Sequence, residues 1–201
     1  MHEQEVRDLI DGCRSPGTSW EDWCAYRQFI ATEIDCDGSI LDVGCANGFL
    51  LLCLAEWTGR KLKPYGVDVD RAAVAAAKAL MPQHADNFAA FDIANVSTLN
   101  SVGLPENYEF VIWNLWWAWP VASSRSLQVA RMLQGKVKAG KLLITLYAAS
   151  RDQIGTSDQL VERRGVVERV MELRSALGEG TVVLNPSGGS QALVALPGRR
   201  P

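Results

Sequence analysis

The chain has 201 residues, of which 48% are hydrophobic, and a formal net charge of −3 at pH 7. This composition supports one globular domain with a sizeable core. It excludes a membrane-spanning segment, because no apolar run is long enough, and the acidic first residues are unlike a signal peptide. Five cysteines without Cys-x-x-Cys spacing and only two histidines favour reduced thiols over a metal site. We therefore expect a cytoplasmic protein without a metal.

The first predicted elements are helices. Residues 3–13 are typical of an exposed helix, and Ser19 with Asp22 three residues later is typical of a helix start. This second helix is expected to run to about residue 34. We expect a single domain in three parts: an N-terminal helical extension at 1–36 that closes over the acceptor side as a lid, an α/β core at 37–196 and a tail at 197–201.

Strand and helix patterns then alternate, which predicts a doubly wound, three-layer α/β/α sandwich around a mostly parallel sheet. The last two strands are joined by only residues 185–190, and so short a loop can join only antiparallel strands. The predicted strands lie at 39–44, 64–68, 87–91, 108–113, 140–147, 180–185 and 190–196, and the predicted helices at 48–58, 71–80, 95–101, 121–135 and 157–176.

The most informative segment is residues 40–52, where an apolar strand breaks at Gly44 and Gly48 and a helix follows. A strand, a glycine turn and a helix N-terminus present free backbone N–H groups to a ligand, and glycines let the backbone approach it closely. The next strand brings Asp68 about twenty residues after Gly48, where a carboxylate can accept both ribose hydroxyls. The pattern predicts a nucleoside cofactor.

These residues resemble the class I S-adenosylmethionine-dependent methyltransferases. The family's first motif is acid-x-Gly-x-Gly-x-Gly, and residues 42–48 match it with Ala46 at the middle glycine. An alanine there argues against a positive φ. Residues 66–69 match the second motif and residues 88–93 the third. The resemblance implies a seven-stranded sheet of order 3-2-1-4-5-7-6 and S-adenosyl-L-methionine as the cofactor. The cofactor-binding residues it implies are Asp42, Gly44, Cys45, Ala46, Gly48, Asp68, Val69, Asp92, Ile93 and Asn114.

The resemblance also assigns roles. Asp42 would contact the cofactor's ammonium group, or serve only the electrostatics of the helix N-terminus. Asp68 would bind the ribose. Asp92 would face the adenine amino group, or only cap the helix after it. Asp70 is expected to cap the helix at 71–80, and Cys45 to be a small side chain in the turn rather than a reactive thiol.

The acceptor side lies after the fourth strand. Family members that methylate the amino groups of nucleic acids carry Asn/Asp-Pro-Pro-Tyr/Phe there. Asn114 fits the first position, but Leu115 and Trp116 replace both prolines, with Trp117 at the aromatic place. This disfavours methylation of a base. Asn114 is expected to orient the acceptor, or alternatively to form a turn. The predicted substrate-binding residues are Trp116, Trp117, Trp119, Trp20 and Tyr26.

Neither histidine is placed to act as a general base, which favours an amine or an acidic hydroxyl as acceptor; Glu21, Tyr26 or Glu33 of the extension could also close over the site. We interpret the chain as a methyltransferase acting on a small molecule. One alternative is an RNA methyltransferase that uses the acid-free, basic segment 110–151. Another is a cofactor-binding protein without catalysis. A nicotinamide-dependent oxidoreductase fits least, because it usually needs Gly-x-Gly-x-x-Gly.

Overall fold

The computed structural model describes residues 3–115, 124–147, 159–187 and 191–198. Three 3-10 helices, at Gln28–Glu33, Pro82–Asn87 and Ile93–Val102, supplement the regular elements. The α-helices are α1 (Glu3–Gly12), α2 (Trp20–Arg27), α3 (Phe49–Thr58), α4 (Arg71–Leu80), α5 (Ser124–Gln134) and α6 (Gln159–Leu177). The strands are β1 (Gly38–Val43), β2 (Leu62–Asp68), β3 (Phe88–Ala90), β4 (Tyr108–Leu115), β5 (Val137–Tyr147), β6 (Thr181–Leu184) and β7 (Gln191–Pro197).

One seven-stranded sheet runs in the order β3-β2-β1-β4-β5-β7-β6. The first five strands in this order are parallel, and β7 is antiparallel to both β5 and β6. The predicted fold class and strand order are therefore confirmed. β4 is longer than predicted because Asn114 and Leu115 remain paired with β5, opposite Thr145 and Leu146.

Alternate residues of the central strands face opposite sides of the sheet. Ile40 and Ile112 pack toward the N-terminal helices, α3 and α4, whereas Leu41 and Val111 pack toward the 3-10 helix Ile93–Val102, α5 and α6. Both faces are covered, which explains why these strands are nearly continuous apolar runs. The carboxyl ends of β1, β2 and β4 consequently meet at one edge of a rigid sheet.

Two predicted helix caps form. The Ser19 hydroxyl accepts a hydrogen bond from the Asp22 amide at the start of α2, and the Asp70 carboxylate accepts from the Ala72 amide at the start of α4. α2 is shorter than predicted, because the α-helix ends at Arg27 and the chain continues to residue 33 as a 3-10 helix. The caps fix where each helix begins beside the sheet edge.

The N-terminal extension is built into the core. Ile10, Trp23 and Ile30 are at most 1% exposed and belong to the same cluster as α3 and α4. The Lys141 ammonium on β5 bonds to the Glu33 carboxylate at 3.0 Å. Glu33, considered above as a base, is thus held by a lysine at the sheet. This packing differs from that of a detached lid.

The five cysteines are free thiols. Burial raises the pKa of the Cys45 thiol well above its ordinary value, so Cys45 stays neutral as a small side chain in the bend. Within the described ranges, no cluster of His, Cys, Asp and Glu could hold a metal ion, and no helix is long and apolar enough to cross a bilayer.

Candidate functional site

The bend after β1 contains two glycines, and each is needed for a different reason. The Gly44 and Cys45 amides donate to the Val67 carbonyl at 2.8 and 3.0 Å, which holds the bend against β2. Gly44 has a φ of +80°, and a Cβ on it would meet none of the described residues within 4 Å, so the backbone is open toward that side among them. Gly48 has a φ of +76°, and its Cβ would lie 2.5 Å from the Met81 methyl group.

Ala46 corrects one expectation from the sequence. Its φ is +48°, in the left-handed region, although an alanine argued against a positive φ. Such a conformation costs a non-glycine residue about 1–2 kcal/mol. The Ala46 amide donates to Asp68 Oδ2 at 3.0 Å, and this bond between the bend and β2 holds the residue in place.

Asp42 is buried without a partner for one of its oxygens. It is 1% exposed, and its Oδ1 makes no hydrogen bond to any residue that the structure describes. Burial, together with the charge of Asp68, raises the pKa of this carboxyl from 3.8 to about 7, while Arg27 acts in the opposite direction. Asp42 lines a small cavity together with Gly44, Arg27 and Asn114. An unpaired carboxylate oxygen beside a cavity is a binding place for a cationic group.

Asp68 ends β2 as predicted and lies beside the bend. It is 3% exposed, yet its carboxylate is well bonded. Oδ1 accepts from the Asp70 amide at 2.9 Å and from Arg14 Nη2 at 2.7 Å, and Oδ2 accepts from the Ala46 amide. The same carboxylate thus braces the bend, and its role toward a ribose stays a prediction.

Two arginines of the extension, not predicted from the sequence, lie at the site. Arg14 and Arg27 both line the cavity beside Asp42. The Arg27 guanidinium lies 4.6 Å from the centroid of the Trp23 ring and donates to Ser15 Oγ at 2.8 Å. Among the described residues, no carboxylate lies within the 4.0 Å ion-pair distance of Arg27. No motif flags these arginines, since they lie far from the bend in the sequence.

Asn47 was also missed as a link between the extension and the bend. Its Nδ2 donates to the Leu9 carbonyl at 2.8 Å, and its Oδ1 accepts from the Phe49 amide at 3.2 Å and the Cys13 thiol at 2.8 Å. An asparagine before a helix suggests a cap, but the sequence does not show that α1 supplies its other partner. This side chain fixes the extension on the glycine bend.

The residues expected around an adenine lie at the rim of the sheet edge. Val69 is 67% exposed and Ile93 is buried. The exposed Asp92 accepts a hydrogen bond from the Ala94 amide at 2.9 Å and so caps the following 3-10 helix. This is the alternative role considered for Asp92; the capping bond leaves its second oxygen for a ligand.

Asn114 lies inside β4 rather than in a turn. Its Oδ1 accepts a hydrogen bond from the Thr145 hydroxyl across the β4–β5 pair, and its side chain lines the cavity beside Asp42. The turn role is therefore wrong, because the strand continues past this residue. Three further predicted acceptor residues lie outside the described residues: Trp116, Trp117 and Trp119.

The two predicted acceptor residues of the extension differ in position. Tyr26 is 42% exposed and lines a second cavity of about 280 Å³, which adjoins the first and shares Arg14 and Arg27 with it. Trp20 instead stacks on Trp23 at 5.9 Å between ring centroids. Among the residues described, Trp20 lines neither of these two cavities, and its place in an acceptor pocket stays a prediction.

The arrangement suits a nucleoside that carries an amino-acid tail. Within the described part of the chain, Asp42 has an unpaired carboxylate oxygen and Arg27 has no ion pair, and both line one cavity with Gly44. The carboxylate of Asp68, at the end of the next strand, is expected to bind the ribose. The fold and the site together define a nucleoside-binding α/β protein whose ligand ends in a zwitterion.

A family model described as a methyltransferase domain matches residues 34–177, and the chain belongs to that family. The protein is an S-adenosylmethionine-dependent methyltransferase of class I, with S-adenosylmethionine as its cofactor. A comparison with curated proteins finds no match.

Solved methyltransferase structures are similar in fold. The N-methyltransferase NodS from Bradyrhizobium japonicum WM9 is 16% identical with a TM-score of 0.56, over 86% of this chain and 92% of that one. A methyltransferase from Aquifex aeolicus is 20% identical with a TM-score of 0.55, over 97% of both chains. A protein described as a candidate O-methyltransferase from Nostoc punctiforme PCC 73102 is 17% identical with a TM-score of 0.60, over 84% of this chain and 55% of that one. The chain thus spans little more than half of the Nostoc protein.

Proposed function

We propose that this methyltransferase acts on a small molecule. The observation that carries the proposal is the cavity of about 280 Å³ beside Tyr26, which shares Arg14 and Arg27 with the cavity at Asp42. Its volume is near the lower end for small-molecule sites. One structurally similar protein is named as an N-methyltransferase and another as a candidate O-methyltransferase. Nitrogen and oxygen therefore both stay open as the methylated atom of the acceptor.

The cofactor would be held at both ends. Asp42 would pair with the ammonium group and Arg27 with the carboxylate of the amino-acid tail, since both line the same cavity and neither has an ion pair within the described part of the chain. Asp68 would accept the ribose hydroxyls. Val69 and Ile93 would flank the adenine, and the adenine amino group would donate to the second oxygen of Asp92.

The bound cofactor supplies an activated methyl group, so the protein's contribution is alignment. Because Asn114 Oδ1 already accepts from Thr145, its amide NH₂ group is left to donate to an acceptor atom. Asn114 would orient the acceptor between the two cavities. An acceptor amine, or a hydroxyl that is already acidic, needs no general base there.

An RNA acceptor is the alternative, and the structure weakens its main support. The Lys141 ammonium bonds to both Glu33 and Asp35 at 3.0 and 3.1 Å, and Lys136 lies 3.8 Å from Glu106. Cations that already have acidic partners release fewer counterions when they meet phosphates. Two of the described cations in the acid-free segment 110–151, Lys136 and Lys141, are thus already paired with acids.

A labelling experiment tests the acceptor class. The protein would be incubated with S-adenosylmethionine carrying an isotopic methyl label and with cell extract separated into small-molecule, RNA and protein fractions. We expect label in the small-molecule fraction, and its loss with the Asp68→Asn variant. Label that stays in the RNA fraction and is released by ribonuclease would contradict the proposal.

A further inference from the structure

Arg14 occupies one acceptor position on the carboxylate that the proposed function assigns to the ribose. Its Nη2 donates to Asp68 Oδ1 at 2.7 Å, while the Asp70 and Ala46 amides hold two more acceptor positions of the same carboxylate. An ionised carboxylate offers about four such positions. A ribose diol needs two of them, so one of the existing donors must leave.

The donor that leaves is Arg14. The other two are backbone amides fixed by the bend and by the start of α4, whereas the Arg14 side chain is 49% exposed. Its backbone also has a φ of +59°, so the residue is held in the left-handed region by its surroundings. Cofactor binding at Asp68 therefore releases a guanidinium group.

The released group borders the second cavity. Arg14 lines this cavity of about 280 Å³ together with Arg27, Tyr26 and Gln191, and none of its described lining residues is acidic. Gln191 Oε1 accepts from Asn185 at 2.6 Å, which leaves its amide NH₂ as a further donor. Because the proposed function assigns Arg27 to the cofactor's carboxylate, the released Arg14 is the cation left for an acceptor. Arg14 and the Gln191 amide donor, beside the ring of Tyr26, suit a ring compound that carries an anionic group.

We propose that this cavity is the acceptor site, that it binds the acceptor through a carboxylate or phosphate group, and that cofactor binding supplies Arg14 for this anion. The inference rests on the proposed function and names the substrate class of the same site. It makes binding ordered: the acceptor binds well only after the cofactor has displaced Arg14 from Asp68.

Calorimetry with simple probes tests the inference. Benzoate, phenyl phosphate and the neutral benzamide would be titrated into the full chain with and without saturating S-adenosylhomocysteine. We expect S-adenosylhomocysteine to raise the affinity for one of the two anions by about fivefold or more, a typical coupling. The anion whose affinity rises identifies the anionic group of the acceptor, and the affinity for benzamide should not rise.

Arg14→Gln is the informative variant, because the side chain is half exposed and the fold should tolerate the change. It should abolish the gain for the anion and leave the affinity for S-adenosylhomocysteine unchanged or higher, since no guanidinium has to be displaced. Arg7→Gln, which changes an arginine paired with Glu3 on the surface of α1, should behave as the wild type.

The outcomes separate the two claims. If the wild type binds no S-adenosylhomocysteine, the proposed function fails and this inference fails with it. Suppose instead that the wild type binds S-adenosylhomocysteine. Only the inference is then overturned if the affinity for neither anion rises, or if the affinity for benzamide rises equally. The same holds if Arg14→Gln keeps the rise in anion affinity or binds S-adenosylhomocysteine severalfold more weakly.

Discussion

At the scale of single residues, Asp42 connects stability with cofactor binding. Its folded-state pKa of about 7 lies above the ordinary value of 3.8, so ionising it opposes folding. This penalty is absent below about pH 4, grows as the pH rises toward 7 and is constant above it. The free protein thus keeps an unfavourable carboxylate that a bound ammonium group would neutralise.

Replacing Asp42 with asparagine should therefore stabilise the free protein and weaken cofactor binding. The rise in pKa from 3.8 to about 7 corresponds to roughly 4 kcal/mol, from which the cost of burying an unpaired amide is subtracted. At pH 8 we expect Asp42→Asn to raise the free energy of unfolding by roughly 1–3 kcal/mol in urea titrations. Its affinity for S-adenosylhomocysteine should fall roughly 10- to 100-fold. Asp86→Asn, at an exposed site, is the control, and a destabilised Asp42→Asn protein would contradict this account.

The same carboxyl should make cofactor affinity depend on pH. The affinity for S-adenosylhomocysteine should rise between pH 6 and 7 as Asp42 ionises, with proton release on binding, because only the carboxylate pairs with an ammonium group. It should fall above about pH 8, where a free α-amino group loses its proton. Calorimetry in buffers of different ionisation enthalpy measures both effects. An affinity that is flat from pH 6 to 7 would show that Asp42 does not meet the ammonium.

At the scale of elements, the bend between β1 and α3 depends on close packing against α4. Gly48 begins α3 with a positive φ, and a Cβ there would lie 2.5 Å from the Met81 methyl group and 3.3 Å from the Ala77 Cβ. Gly59 ends the same helix, also with a positive φ, but a Cβ there meets nothing. Substitutions at these two glycines therefore separate the cost of backbone strain from the cost of side-chain crowding.

Gly48→Ala should consequently cost more stability than Gly59→Ala. Both variants incur the left-handed penalty of about 1–2 kcal/mol, and only Gly48→Ala adds overpacking of about 1–3 kcal/mol. Thermal and urea unfolding of the two variants measure the difference. Equal losses would mean that Met81 moves aside and that the bend is not packed as tightly as the structure shows.

At the scale of the whole molecule, the N-terminal extension completes one face of the sheet. Trp23 and Ile30 are fully buried against α3 and the β-sheet, and Asn47 ties α1 to the bend. The extension therefore contributes to the core as well as to both cavities. This dual role explains why Arg14 and Arg27, though far from the motifs in sequence, reach the site.

Deletion of residues 1–36 should remove cooperative folding. The change would expose the apolar residues of α3 that now pack against Trp23 and Ile30, a loss beyond what a domain of this size tolerates. We expect the shortened chain to lack a sharp thermal transition and to bind a hydrophobic dye. A shortened chain that unfolds cooperatively and keeps most of its affinity for S-adenosylhomocysteine would show that the extension is a separable lid.

The sequence predicts the strands, the helices and the bend because they depend on local patterns, whereas the sheet order is implied only by the resemblance to the methyltransferase family. The alternation of elements, the glycines of the bend and the acid at position 68 are each readable from a few neighbouring residues. Long-range partners are not readable in this way. The bond between Arg14 and Asp68, and the bond that keeps Asn114 inside β4, depend on how distant segments pack. The positive φ of Ala46 also depends on a tertiary hydrogen bond, which overrides the residue's local preference.

The most direct measurement is calorimetric titration of the full chain with S-adenosylhomocysteine, beside the Asp68→Asn variant and the exposed-site control Asp86→Asn. Folding of all three proteins would be checked by circular dichroism. We expect saturable binding to the wild type and the control, and roughly 10-fold or greater weakening in Asp68→Asn, the loss expected for hydrogen bonds to a charged group. Absence of heat with the folded wild type, or unchanged affinity in Asp68→Asn, would contradict this expectation.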